Sequence, residues 1–214
     1  MARRTLLGVV AVGVVGVIFV AALVLFVGLF VLAKPKPLQG TSTTIRLETT
    51  GAVGQAIFWP RPNDPHPDWV GYLPTTILKV PANSTVHMQI FQDDSQSGLR
   101  NPFWSKVQGV EGGKIHMTYI DDQGNQQTGD FSSIDPATPA HTFAIPDLGV
   151  FVPLEGLPDS APPGSYNTIS FSFKVGKPGT FRWQCFVPCA AGYLYGNGGP
   201  MSTLGYMGGL LIVE

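Results

Sequence analysis

The chain has 214 residues, enough for one ordinary domain plus an anchor or tail, and carries 26 Gly and 19 Pro against only 13% charged residues. That balance suits many short strands joined by turns, and a net charge of −1 excludes the basic face that nucleic-acid binding requires. The charge is uneven: with Arg3, Arg4, Lys34 and Lys36 set aside, nine of the 13 Lys/Arg and all 14 Asp/Glu fall in residues 40–214, a mildly acidic stretch suited to a basic protein partner.

Residues 6–33 form an uninterrupted apolar run of 28 residues. About 20 residues cross a bilayer core, whereas the apolar core of a cleaved signal peptide is about 7–15 residues long. The run is therefore predicted to be one uncleaved transmembrane helix, with Val31-Leu32-Ala33 as a cleavage site in the alternative case. Arg3 and Arg4 assign residues 1–5 to the cytoplasm, although Lys34 and Lys36 stand on the far side. Arg3-Arg4-Thr5-Leu6-Leu7 also resembles a twin-arginine export signal. Residues 34–40 open with Lys34-Pro35-Lys36-Pro37, which cannot continue a helix and reads as a stiff linker. The expectation is a single-pass cell-membrane protein with residues 41–214 outside the cytoplasm.

Beyond the linker no long segment has helical periodicity. Short strands are predicted at 45–49 and 56–59, and the Pro-rich stretch 61–68 reads as a loop. Residues 76–80 and 85–91 read as two strands across a turn. In the second, Val86, Met88 and Ile90 alternate with Thr85, His87 and Gln89, so His87 points away from the apolar face. Residues 93–139 form a polar insertion with its own hairpin, in which His116 alternates with Ile115 and Met117 and is expected at the surface. Its acidic pairs, Asp93-Asp94 and Asp121-Asp122, do not follow calcium-loop spacing and read as turn residues. A strand at 141–145 is followed by Pro146-Asp147-Leu148-Gly149 and a Pro-rich crossing. Residues 168–175 alternate cleanly, and a turn at 176–179 leads into a strand that delivers Cys185. Many short strands at turn-punctuated intervals predict a β-sandwich or barrel.

The chemistry gathers near the C-terminus. The only two cysteines, Cys185 and Cys189, lie in the run Thr180-Phe-Arg-Trp-Gln-Cys185-Phe-Val-Pro-Cys189, with His141 upstream and Met201 and Met207 downstream. Thiolate, imidazole and thioether are the donors copper favours. Two cysteines in an oxidising compartment also predict a disulfide, and a turn can bring residues four apart to the required separation. Copper, a disulfide and an empty vestige all remain open on spacing alone. Hydrolase readings fail, because no histidine lies near a GxSxG serine and Cys185 has no partner assignable from sequence.

The run from His141 through Phe171-Ser-Phe-Lys174 and Pro178-Gly-Thr-Phe-Arg-Trp-Gln-Cys185-x-x-x-Cys189 to Met207-Gly-Gly-Leu-Leu-Ile-Val213 resembles cytochrome c oxidase subunit II of the single-anchor type. The likeness covers about residues 75–92 and 140–214, plus the anchor. It implies an all-β, cupredoxin-like Greek-key sandwich behind one N-terminal transmembrane helix. It also implies a binuclear copper centre, CuA, that takes electrons from a c-type cytochrome and passes them to a larger haem-bearing membrane subunit. On that pattern His141, Cys185, Cys189, the carbonyl of Val187 and the thioether of Met207 are the metal ligands. The motif is altered: the family has histidine four residues after the second cysteine, and here that residue is Tyr193, with no histidine after His141. Tyr193, Met201 and His87 are therefore secondary candidates. A neutral phenol of pKa near 10 is a poor substitute for imidazole.

The resemblance implies a non-catalytic electron-transfer component of a haem-copper terminal oxidase or related respiratory complex. Two alternatives stand beside it: a copper-free structural or docking subunit of such a complex, and a Cu(I) carrier or assembly protein.

Overall fold

A computed structural model of the chain describes residues 41–50, 69–188 and 199–214, without the side chain of Ser202. The predicted anchor (6–33) and linker (34–40), the strand expected at 56–59, the loop 61–68, Cys189 and Tyr193 lie outside the described residues. Among the described residues no helix is long and apolar enough to cross a membrane.

Among the described residues there are eleven strands: β1 (Ser42–Thr50), β2 (Gly71–Leu73), β3 (Ile77–Val80), β4 (Thr85–Gln92), β5 (Ile115–Ile120), β6 (Gln126–Phe131), β7 (Pro139–Ile145), β8 (Val150–Glu155), β9 (Asn167–Lys174), β10 (Gly179–Gln184) and β11 (Gly208–Val213). They form a six-stranded sheet in the order β2-β1-β4-β9-β5-β6 and a five-stranded sheet in the order β3-β11-β10-β7-β8. This is the two-sheet β-sandwich that the resemblance implies. The chain changes sheet between β2 and β3, β3 and β4, β6 and β7, β8 and β9, and β9 and β10, as Greek-key connections require.

Alternation built the sheets as expected. In β4, Val86, Met88, Ile90 and Gln92 are buried while the residues between them are half-buried, and β9 repeats the pattern with Ile169, Phe171 and Phe173. These two strands pair antiparallel from Thr85↔Lys174 to Gln92↔Asn167. Burying each such side chain stabilises the fold by about 1.5–3 kcal/mol. Facing them from the other sheet are Phe143, Val152, Leu154, Trp183 and Leu211. Trp183 anchors that side: its ring meets Tyr72 edge-on with centroids 5.1 Å apart, and its Nε1–H donates to the Thr76 carbonyl at 3.2 Å. Gly209 on the neighbouring strand is required by this packing, since a Cβ there would sit 2.6 Å from the Trp183 ring and against the Thr76 carbonyl.

Residues 77–80 and 85–92 are two strands across a turn, as the sequence predicts, each in a different sheet. The turn between them, with Asn83 in the left-handed region at φ 53°, carries the chain from one sheet to the other. The segment read as a Pro-rich crossing after Gly149 contains β8, which pairs antiparallel with β7. Pro153 is tolerated because β8 is an edge strand and need not donate outward. The insertion adds β5 and β6 to the six-stranded sheet, through pairing of β5 with β9.

Candidate metal centre

Three segments converge where β7 enters and β10 leaves the five-stranded sheet. His141 comes from β7, beside a register irregularity between Pro139 and His141, the kind of bulge that re-aims a side chain. Cys185 follows directly on β10, and Met201 and Met207 come from the segment that leads into β11. Every residue of β7 is buried. His141 is 2% exposed, and Cys185, Val187 and Met207 are fully buried.

Backbone bonds hold the segments together. The Cys185 N–H donates to the carbonyls of Met207, at 2.9 Å, and Met201, at 3.2 Å, while Met207 N–H donates to Pro200 O at 3.0 Å. The Phe186 N–H donates to Thr142 Oγ1 at 2.8 Å, which ties the cysteine loop to β7. Around the sulfur, Thr142 N–H donates to Cys185 Sγ at 3.4 Å and Val187 N–H donates at 3.3 Å. The Val187 carbonyl oxygen lies 3.7 Å from the same sulfur. The sulfur thus accepts two backbone N–H groups, while its own S–H points to the Val187 carbonyl as donor.

His141 Nε2 lies 3.0 Å from Asp94 Oδ2, and the Cys185 side chain is also a polar neighbour of the imidazole. Burial pushes the His141 pKa down, but the bonds to Asp94 and Cys185 outweigh it and raise the value to about 9. Asp94, on the same contact, titrates below the usual carboxylate range, mainly because it accepts from His141 and despite partial burial. Its neighbour Asp93 is shifted the other way, chiefly by burial.

The other sequence candidates are placed elsewhere or not described. His87 stays on the face of β4 opposite Val86 and Met88, half-buried, with Nδ1 2.7 Å from Ser172 Oγ. The structure does not bring it to Cys185, because strand alternation turns it to the outer face. His116 is exposed and pairs with Asp130 at 2.8 Å. Met201 and Met207 are both buried, at 8% and 0% exposure, and both lend a carbonyl to the cysteine N–H. Among the described residues no three His, Cys, Asp or Glu side chains form a metal-holding group.

Sequence reasoning missed three contributors. Asp94 was read as a turn residue, and nothing local in Asp93-Asp94 signals a histidine 47 positions away. Thr142 was one more strand residue. Trp104, on a 3-10 turn (Pro102–Ser105) of the insertion, stacks on Phe186 with centroids 4.6 Å apart and planes 20° apart. The insertion thus covers the residue next to Cys185.

As donors, one imidazole, one buried cysteine sulfur, a nearby carbonyl and buried methionines fit a soft, borderline ion such as copper better than an oxygen-seeking one. No protein-family model matches the chain, and no curated protein matches it. Among solved structures the chain is similar to auracyanin B, at TM-score 0.29 and 15% identity over 85% of this chain and 95% of that one. It is also similar to Fet3p, a multicopper oxidase that functions in iron import, at TM-score 0.26 and 8% identity over 83% of this chain and 28% of that one. At scores this low, the strand order and the residues described above stand on their own.

Proposed function

We propose that the chain is a membrane-anchored, extracytoplasmic cupredoxin that serves as a subunit II-like electron-transfer component of a haem-copper oxidase or related respiratory complex. The observation that carries this reading is the burial of His141 against Cys185, with the Thr142 and Val187 N–H groups on the sulfur. His141, Cys185 and Cys189 would hold copper, with the Val187 carbonyl and Met207 as weaker donors, and copper bound there supplies a one-electron couple. The protein's part is to keep these donors fixed and dry. The sheet bonds behind β7 and β10, the Phe186–Thr142 bond and the Met207–Cys185 bond leave little to rearrange when charge changes. A larger haem-bearing membrane subunit and a c-type cytochrome are the partners this role calls for.

One observation favours a second reading. No histidine follows His141, and a site with a single imidazole suits transferable Cu(I), as in a carrier. Copper analysis and low-temperature EPR on the full-length chain in detergent, loaded under reducing conditions and then oxidised, separate the two. Two coppers with a delocalised mixed-valence signal are expected for the electron-transfer role. One EPR-silent Cu(I) selects the carrier, and no bound metal with no titratable thiol selects a copper-free docking subunit.

A further inference from the structure

We propose that Asp94 is a positioning residue: its carboxylate holds the Nε2–H of His141, so that Nδ1 is left as the lone-pair nitrogen that a metal would take. Only the identity of what Nδ1 binds rests on the copper reading. The tautomer assignment rests on geometry alone.

Asp94 is fixed before it meets the imidazole. Its Oδ1 accepts the Ser95 N–H at 2.9 Å, and its carbonyl accepts both the Leu157 N–H at 2.9 Å and Gln92 Nε2–H at 2.8 Å. Gln92 is itself fully buried at the end of β4, and its Oε1 accepts from Thr49 Oγ1 on β1. The six-stranded sheet thus supports Oδ2, 3.0 Å from His141 Nε2 on the other sheet. An ionised carboxylate only accepts, so Nε2 must carry the proton in neutral imidazole and Nδ1 is left as the lone-pair nitrogen. Fixing the tautomer through the second nitrogen is how carboxylates orient ligating histidines.

The two acceptor sites on Asp94 make a sharp test, because an amide cannot fill both. In Asp94→Asn the Ser95 N–H requires the carbonyl oxygen, so the amide N–H₂ faces His141 and demands Nε2 as an acceptor. The isosteric variant should therefore invert the tautomer to Nδ1–H, whereas Asp94→Ala should leave a mixture. Long-range ¹H–¹⁵N correlation spectra of the full-length, metal-free protein in detergent read this directly, at a pH alkaline enough for His141 to be neutral. Wild type is expected as Nε2–H. Chelator competition for Cu(I) should show Asp94→Asn weakened by about 10–100-fold, the range for removing a partner that orients a ligand. Wild type as Nδ1–H, or Nε2–H retained in both variants, overturns the proposal. If Asp94→Ala does not fold, the inversion in Asp94→Asn decides alone. Wild type that binds no copper but shows the expected tautomers removes the copper reading and leaves Asp94 its role. Tautomers that ignore Asp94 in a copper-binding protein do the reverse.

Discussion

Two histidine–aspartate pairs lie in the same domain and differ in almost nothing but surroundings. His116 and Asp130 face each other across β5 and β6 at 2.8 Å, with side chains 58% and 63% exposed. His141 and Asp94 bridge the two sheets at 3.0 Å, with the imidazole 2% exposed. The shorter bond is the less consequential one. In water an exposed pair gains little, because solvent screens the attraction and two mobile side chains must be ordered. In the interior the imidazole has lost its hydration, so its state is decided by the two groups that replaced water, Asp94 and Cys185. Distance alone would have ranked these pairs the wrong way round. Burial and the presence of the sulfur separate a candidate ligand from a strand decoration.

Copper affinity should break the symmetry most widely. Cys185→Ser and His141→Ala each remove a donor and should abolish Cu(I) retention against a chelator, a larger loss than the roughly 10–100-fold expected for an orienting partner. His116→Ala should leave affinity within about twofold, since no described contact links it to the sulfur. Equal losses from His116→Ala and His141→Ala would sink the assignment of the centre.

The second test is the pH dependence of stability in the metal-free protein. His141 has its folded pKa raised from 6.5 to about 9, so protonation favours the fold. That contribution is fully present below pH 6.5 and is lost as pH rises through about 9. It amounts to something on the order of 3 kcal/mol. Urea denaturation between pH 6 and pH 10 should show the decline in wild type and in His116→Ala, and a flatter profile in His141→Ala. An unchanged slope in His141→Ala would mean that another group carries it.

What the sequence made legible follows from the range of the interactions involved. Alternation in residues 85–91 and 168–175 is local, and it predicted β4, β9 and the outward turn of His87. Residues 150–155 hid a strand because Pro146 and Pro153 read as breakers, and only the edge position of β8 makes Pro153 harmless. His141 and Cys185 were reached through a family likeness in spacing, which strand order then brought together. Asp94 could not be reached that way. Its partner is 47 residues distant, on the opposite sheet, and Asp121 in the other acidic pair does serve the turn chemistry expected of both, accepting from Gln123 and Asn125.

Glu155, at the end of β8, supplies a buried acid against which to sharpen the comparison. Burial raises its pKa to about 7, against the Thr138 hydroxyl bond that pulls it down, and Asp135 and Asp122 push the same way as burial. The raised value means the fold prefers the protonated acid, so stability is fully present below about 4.5 and falls as pH rises through about 7. Glu155→Gln cannot ionise and keeps an acceptor for Thr138 Oγ1. It should be the more stable protein above pH 7, by something on the order of 3 kcal/mol, and equal to wild type near pH 4. Thermal melts at both pH values check this, and a variant destabilised at pH 8 would contradict it.

The smallest effect belongs to the exposed pair. Asp130→Asn removes the charge opposite His116 while leaving an acceptor of the same shape on β6. The strand pairing beneath it, His116↔Asp130 within the β5–β6 ladder, is made by backbone groups and survives the change. In buffer acid enough to charge a histidine, what is lost is a solvent-screened attraction, worth about 0.5 kcal/mol or less and declining with added salt. Urea midpoints of wild type and Asp130→Asn should therefore differ slightly at low salt and coincide at high salt. A difference that persists in high salt would show that this pair is held as the buried one is, by desolvation and fixed partners, and the contrast between the two would collapse.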